Sequence, residues 1–299
     1  DRSGGFLEAG NDFGRTEQLA DITNFSEAGG NHGWGTLATT LTNAGFELEQ
    51  MIEPLEANAP ATGQTTGAPI AFETMDLSVY DVIVFGSNNA VYGNAQIDAI
   101  ENYVRGGGST IFISDANFGS SWADASDSDQ QFLDRFGIIM HQDQGTYSLF
   151  RDEGDFLVPE HPILVGVDRY DGEGVTPARI AETVPEGVDI QILAEPQSQT
   201  RLNEPPFMGN QQGGSRPPED GDGVLIDITA SGDGTAGRVI IHFDRNTFFN
   251  QNGAGTNINR FDNTQFALNL FGYAATPVPE PVGLGAVGLG ALALRRHAR

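Results

Sequence analysis

Two short apolar runs with one helical segment between them constrain the fold of this chain most strongly. The runs are Tyr80–Phe85 (YDVIVF) and Thr110–Ser114, and residues 95–105 between them carry apolar side chains at helical spacing. Strands with nearly continuous apolar side chains are typical of a parallel sheet that is covered by helices on both faces. The three glycines at 106–108 are expected to end the helix. The pattern therefore predicts a parallel strand–helix–strand unit.

The same alternation of strands and helices continues on both sides of this unit. Asn94 is expected to cap the helix of residues 95–105, and Gly45 to follow the end of an earlier helix. The further strands are predicted at Ala20–Phe25, Phe46–Met51 and Arg238–Phe243, and the further helices at Trp34–Ala44, Asp127–Phe136 and Asn263–Tyr273.

Three regions depart from this alternation. Residues 57–71 and 197–223 are rich in Gly and Pro and are expected to form loops. Residues 138–193 carry short β-like segments, which indicate an insertion at one edge of the sheet. The fold class is therefore α/β: a flavodoxin-like, mostly parallel sheet with helices on both faces, elaborated by an extra β-rich insertion, plus a C-terminal short apolar helix.

The charge and the cysteine content exclude several classes of protein. The chain has 41 acidic and 15 basic residues, which give it a net charge of −26. So negative a surface repels nucleic acids, and no nucleic-acid partner is expected. The chain has no cysteine, which excludes disulfide bonds, thiolate metal sites and a cysteine nucleophile. No pattern in the sequence indicates an organic cofactor, and none is expected.

Residues 276–299 divide into three parts. The first is a Pro-rich segment with the motif Val278-Pro279-Glu280-Pro281, and the second is an apolar run from Val282 to Leu294. As a helix, that run would be about 20 Å long, shorter than the roughly 30 Å hydrocarbon core of a membrane. The third part is a basic cluster of Arg295, Arg296 and Arg299.

This ending resembles the PEP-CTERM sorting signal. The resemblance implies an exported protein that is tethered to the membrane by its tail until an exosortase-type enzyme cuts near the Pro-Glu-Pro motif. The body would then reach the cell surface or the extracellular matrix. The alternative is a flexible linker followed by an apolar helix that packs on the body. The predicted divisions are a body at residues 1–275, a Pro-rich linker at residues 276–281, and a short hydrophobic segment with a basic tail at residues 282–299.

The body resembles a second family. The segments 80–119, 237–250 and 261–275, together with His161–Val167 (HPILVGV), are similar to the class I glutamine-amidotransferase-like superfamily. Within it they resemble the ThuA-like proteins and the gliding-motility and intraflagellar-transport domains. The resemblance implies a flavodoxin-like sheet over most of residues 20–275. An amidotransferase needs a Cys after the strand Thr110–Ser114, and the chain has none, so this activity is excluded.

The candidate binding site lies in the loops that follow the predicted strands. In open α/β sheets, ligands bind outside the carboxyl ends of the strands. The loops there are rich in Asn, Ser, Gly, His and Asp, which hydrogen-bond to hydroxyl-rich ligands. Trp34 and Trp122 lie in or near these loops, where they either stack on sugar rings or pack in the core. The candidate ligand-binding residues are Glu27, His32, Trp34, Ser87, Asn88, Asn89, Asp115, Asn117, His242, Asp244 and Asn246.

These residue types leave several functions open. A serine hydrolase would combine Ser87 or Ser114 with His242 and an acid, Asp244 or Glu27, although no G-x-S-x-G elbow is present. A mixed nitrogen and oxygen metal site would combine His32, Asp115, His242 and Asp244. The acidic runs 124–129 and 168–173 resemble loose Ca²⁺ loops.

A satisfied core histidine is the other interpretation of His242, because it alternates within a buried strand. The leading function is a non-catalytic binding or structural module that recognises carbohydrate or matrix polysaccharide. The alternative is a secreted hydrolase that acts on sugars or esters, with or without a metal. The residue pattern does not specify a particular metal for either function.

Overall fold

The computed structural model describes residues 33–49, 70–86, 92–114, 125–140, 146–173, 177–196, 222–250 and 256–279. The helices in these ranges are α1 Gly35–Asn43, α2 Asn94–Arg105, α3 Ala125–Leu133 and α4 Asn263–Ala274. The strands are β1 Val82–Gly86, β2 Ser109–Ile113, β3 Ile138–Met140, β4 Thr146–Phe150, β5 Arg169–Glu173, β6 Ala178–Ile180, β7 Val188–Ala194, β8 Asp222–Gly223, β9 Leu225–Ser231 and β10 Ala236–His242.

A five-stranded sheet with the order β1-β2-β10-β9-β7 forms the centre of the fold. β2 pairs in parallel with both β1 and β10. β9 is antiparallel to β10 and to β7, so four of the five strands run in the same direction. The predicted α/β class with a mostly parallel sheet is confirmed.

The strand–helix–strand unit β1–α2–β2 lies where the apolar runs predicted it. All five residues of β2 are buried. Gly93, and not Asn94 as predicted, precedes the first turn of α2, and its N–H donates to the side chain of Gln96 at 2.6 Å. The hydroxyl of Tyr103 donates to the carbonyl of Tyr80 at 2.9 Å, and this hydrogen bond joins the end of α2 to the segment just before β1.

Helices cover both faces of the sheet. Because successive side chains of a strand point to opposite faces, alternate residues of β2 pack against different helices. On one face, Ile111 and Ile113 of β2 pack against the buried side chains of α1 and α4. On the other face, Phe112 packs with α2 and α3, and its ring centroid is 5.9 Å from that of Phe132. The apolar run of β2 is thus explained by burial on both faces.

Most of the β-rich insertion predicted at residues 138–193 forms two small antiparallel units, whereas its last strand, β7, joins the central sheet. β3, β6 and β8 form a three-stranded sheet, and β4 pairs with β5. The predicted strand Phe46–Met51 is wrong in its described part, because residues 46–49 have no strand pairing. Instead, Gly45 at φ +96° follows α1, and the N–H of Phe46 donates to the carbonyl of Leu41 at 3.1 Å.

Several predicted segments lie outside the described residues. These are the strand Ala20–Phe25, most of the loops 57–71 and 197–223, and the apolar run with its basic cluster. Of the Pro-Glu-Pro motif, only Val278 and Pro279 are described. In the part of the chain that is described, every helix is too short or too polar to cross a membrane.

Candidate functional site

The carboxyl ends of β1, β2 and β10 meet at one edge of the sheet, where the candidate residues were predicted. Four of those candidates are described, namely Trp34, His242, Asp244 and Asn246. The others lie outside the described residues: Glu27, His32, Ser87, Asn88, Asn89, Asp115 and Asn117.

His242, the last residue of β10, is fully buried beneath α4. Its ring lies among aromatic side chains, with centroids 5.1 Å from both Phe248 and Phe266. Its Nε2 is hydrogen-bonded to Oγ1 of Thr247 at 2.9 Å. Burial lowers the pKa of His242 to about 3, because the charged imidazolium would lose its hydration. The imidazole is therefore neutral at physiological pH.

A chain of buried polar groups continues from His242 towards the N-terminus of α4. Oγ1 of Thr247 donates to the backbone carbonyl of Asp171 in β5 at 2.7 Å. The carboxylate of Asp171 accepts from Nδ2 of Asn263 at 2.9 Å and lies 2.7 Å from Nη1 of Arg260. The backbone N–H of Asp171 also donates to Oδ1 of Asn263 at 3.1 Å. This network joins β10, β5 and α4 beneath the carboxyl edge.

Asp171 is the titratable centre of this network. Burial raises the pKa of its carboxyl to about 7, while Arg260 and the hydrogen bond from Asn263 act in the opposite direction. The sequence placed Asp171 in an acidic run that resembled an exposed Ca²⁺ loop. In the structure it is fully buried, and an arginine and an amide face its carboxylate.

The segment at the start of α1 and the segment that follows β10 lie side by side at this edge. The N–H of Thr36 donates to Oδ1 of Asn250 at 2.8 Å, and the N–H of Asn250 donates to the carbonyl of Gly33 at 2.9 Å. Trp34 packs edge-to-face on Phe248, with ring centroids 6.0 Å apart. The start of α1 is therefore held against the segment that follows β10.

The two polar candidates after β10 differ in exposure. Asp244 is fully buried, and a methyl group placed on Gly172 would lie 2.8 Å from its Oδ2, so the carboxylate rests close to the backbone of β5. Asn246 is half-buried in a short 3-10 turn, Arg245–Phe248. Among the described candidates, Asn246 is the polar side chain that solvent reaches.

Ser114 follows β2 and lies on the opposite face of the sheet from His242. The alternation along β2 places Ser114 on the face of Phe112, which α2 and α3 cover, whereas His242 lies with α4. Ser114 is near the fully buried Asp129 of α3. Burial raises the pKa of Asp129 well above its usual range, and the Ser114 hydroxyl opposes this increase. The sheet therefore separates Ser114 from His242, and the two do not form a nucleophile–base pair.

Metal binding has no support from the residues that the structure describes. Within them, no three His, Asp or Glu side chains gather at a point where they would hold an ion. Two of the four residues considered for a metal site, His32 and Asp115, lie outside the described ranges.

Four buried polar residues were not predicted from the sequence to be buried. Asp129, Asp171, Arg260 and Asn263 belong to polar, loop-like or helix-capping segments, where a solvated side chain is the ordinary expectation. The one signal was that Asp171 follows an aromatic residue in a short β-like segment.

A groove of about 640 Å³ runs along the open edge of β1. Its floor is formed by Val82–Gly86, and its apolar walls include Leu41, Phe72 and Phe271. The exposed acidic residues on its rim are Glu47, Glu49 and Asp81. In the described part of the chain, β1 pairs on one side only, with β2.

Comparisons with known proteins relate this arrangement to solved structures and to no sequence family. No family model matches the chain, and no curated protein matches it. The mmIFT52 N-terminal domain superposes with a TM-score of 0.52 at 10% sequence identity, over 80% of this chain and 89% of that domain.

Two further solved structures are similar at lower scores. A cytoplasmic protein from Salmonella typhimurium has a TM-score of 0.45 at 14% identity and covers 80% of this chain and 85% of its own. A protein described as ThuA-like, from Parabacteroides merdae, has a TM-score of 0.45 at 14% identity and covers 87% of both chains. At these identities the likeness concerns the fold alone. The chain therefore has an α/β fold similar to that of the mmIFT52 N-terminal domain.

Proposed function

We propose that this chain is a non-catalytic binding module of the cell surface or extracellular matrix, with carbohydrate or matrix polysaccharide as its ligand. Its body would bind through the loops at the carboxyl edge of the sheet. Its tail, residues 276–299, would tether it to the membrane until an exosortase-type enzyme removes the tail.

The state of His242 is the observation that carries the proposal of a non-catalytic site. A general base must reach the proton that it removes and must have a pKa near the working pH. His242 is fully buried, its Nε2 is engaged with Thr247, and its pKa is lowered to about 3. The alternative hydrolase loses the pair of Ser114 with His242, because the two side chains lie on opposite faces of the sheet.

The proposal of export depends on the tail and has a direct test. We expect the body recovered from the cell surface to lack the apolar run and the basic cluster, because cleavage near Pro279 removes both. Intact-mass measurement of the surface fraction checks this expectation. A surface protein that still carries Arg299 would contradict it.

The proposal of binding concerns the polar candidate that solvent reaches. The purified protein is expected to bind a subset of an array of bacterial exopolysaccharides, and Asn246→Ala is expected to weaken that binding about tenfold, the usual cost of one lost hydrogen bond of about 1.4 kcal/mol. The melting temperature should stay within about 2 °C of the parent, because Asn246 is not buried.

Two controls make this binding experiment decisive. Asn259→Ala changes an exposed Asn of another loop and should leave array binding unchanged. A blank array for the parent protein would overturn the proposed ligand class. Hydrolysis of the arrayed sugars would instead establish the alternative function.

A further inference from the structure

The edge of β1 that faces away from β2 is an apolar edge strand without a pairing partner in the described part of the chain. Val82, Ile83 and Val84 are only half-buried, whereas every residue of the neighbouring β2 is buried. A long apolar edge strand is a template for pairing with another strand, and natural proteins cover such edges. The groove described above runs along this edge, so an occupant that is apolar and extended would complete it.

The tail of this chain starts beside that groove. Phe271 and Ala275, at the end of α4, line the groove. Arg238 fixes this end of the helix, because its Nη1 donates to the carbonyls of Tyr273 and Thr276 and its guanidinium stacks 4.1 Å from the Tyr273 ring. Val282 follows Ala275 by seven residues, which span up to about 25 Å when extended. The apolar run can therefore reach every part of β1.

The run is predicted as a short apolar helix, yet the repeat within it also alternates as an extended strand does. Residues 282–286 and 287–291 are the same five-residue repeat, Val-Gly-Leu-Gly-Ala. In an extended chain the pleat places the Val, Leu and Ala of one repeat on one face and its two glycines on the other. Because the repeat has five residues, the two repeats present their apolar faces to opposite sides. One repeat also matches the length of β1, which has five residues.

The charges of the two partners are complementary. The groove has Glu47, Glu49 and Asp81 on its rim, and none of its described lining residues is an arginine. The apolar run ends in Arg295, Arg296 and Arg299. Opposite charges at the edge of an apolar contact favour one register of the docked segment over others.

We propose that the apolar run Val282–Leu294 docks as an added strand in the groove along β1, with its arginines at the acidic rim. One five-residue repeat pairs with β1, and Val, Leu and Ala fill the groove. The contact shields both the apolar run and the edge of β1 from water until a membrane takes up the tail. This inference goes beyond the proposed function and does not require the tail to be cleaved.

The experiment measures hydrogen exchange at the amides of β1 in the full-length protein. The double variant Leu284→Asp/Leu289→Asp places a charge on the apolar face of each repeat. We expect the amides of β1 that point to its open edge to exchange about tenfold faster in this variant, because the pairing strand is lost, while the amides that point to β2 serve as an internal reference. The matched control, Thr276→Ser, alters the exposed tail base without a charge and should leave the exchange of β1 unchanged.

A charge-reversal pair tests the register. Glu47→Arg should speed exchange of the β1 amides, and adding Arg295→Glu should restore the slow rate of the parent. Glu182→Arg, an exposed acidic position away from the groove, should have no effect. Restoration in the double variant supports direct pairing of tail and rim.

The other occupants of the groove predict different results. If residues 20–25 or an unrelated segment covered β1, the amides of β1 in Leu284→Asp/Leu289→Asp would exchange at the parent rate. If a second copy covered it, the protection would fall on roughly hundredfold dilution of the parent protein. Either result, or fast exchange of β1 in the parent itself, overturns the proposal.

Discussion

Replacing Asp171 by Asn is expected to remove about 3 kcal/mol of the pH dependence of folding stability between pH 4 and pH 7. The folded protein raises the pKa of Asp171 from 3.8 to about 7, mainly through burial. A carboxyl whose pKa is raised on folding binds its proton more tightly in the folded state. Its contribution to stability is complete below pH 4 and is lost as the pH rises through 7.

The parent protein should therefore show a free energy of unfolding that decreases across this window, with a slope on the order of 1 kcal/mol per pH unit from this group. In Asp171→Asn the slope should be smaller, because an amide does not titrate, while Asn263 still has an oxygen to which it can donate. Urea unfolding at several pH values measures both slopes.

Two variants serve as controls for this measurement. Asp168→Asn changes an exposed carboxylate close by in sequence and should keep the slope of the parent. Arg260→Met removes the guanidinium that lowers the pKa of Asp171, so its slope should extend to higher pH. An unchanged slope in Asp171→Asn would show that Asp171 is not the group that titrates.

Gly237→Ala is expected to lower the free energy of unfolding by about 3 kcal/mol or more. A Cβ at this position of β10 would lie under 3.0 Å from the carbonyl oxygens of Gly108 and Val104, which are backbone atoms. The end of α2 would have to move away from the sheet to admit it. Because Val104 is fully buried, this movement would also open the core on that face.

Gly272→Ala is the matched control for this prediction. Gly272 lies inside α4, and a Cβ there meets no atom within 4 Å. Removing a glycine from a helix without a clash is expected to raise stability by about 0.5–1 kcal/mol. Chemical unfolding of both variants should give changes of opposite sign, and a stable Gly237→Ala protein would contradict the close packing of α2 on β10.

The central unit of the fold was predicted well from local pattern. The apolar runs gave β1 and β2 within two residues, because buried parallel strands need apolar side chains on both faces. Gly45 and the glycines at 106–108 marked the helix ends, because the left-handed backbone after a helix favours glycine. These patterns depend on neighbouring residues alone, so they can be recognised without knowing which distant residues will contact them.

The predicted strand Phe46–Met51 shows the limit of such patterns. Phe46 and Leu48 alternate with Glu47 and Glu49, which is the pattern of a half-buried strand. A strand also needs a neighbour to accept its backbone hydrogen bonds, and residues 46–49 have none in the described structure. Instead, they form one wall of the groove along β1.

The sequence alone determined the fold class and the position of the central strands β1, β2 and β10. The tertiary structure decided which polar residues are buried and which of them meet. Asp171 and Arg260 are 89 positions apart in the chain, and their contact forms only when β5 packs beneath α4. His242 and Ser114 are on neighbouring strands, yet the pleat directs them to opposite faces. Burial and pairing depend on residues that are distant in sequence, so local composition could not predict them.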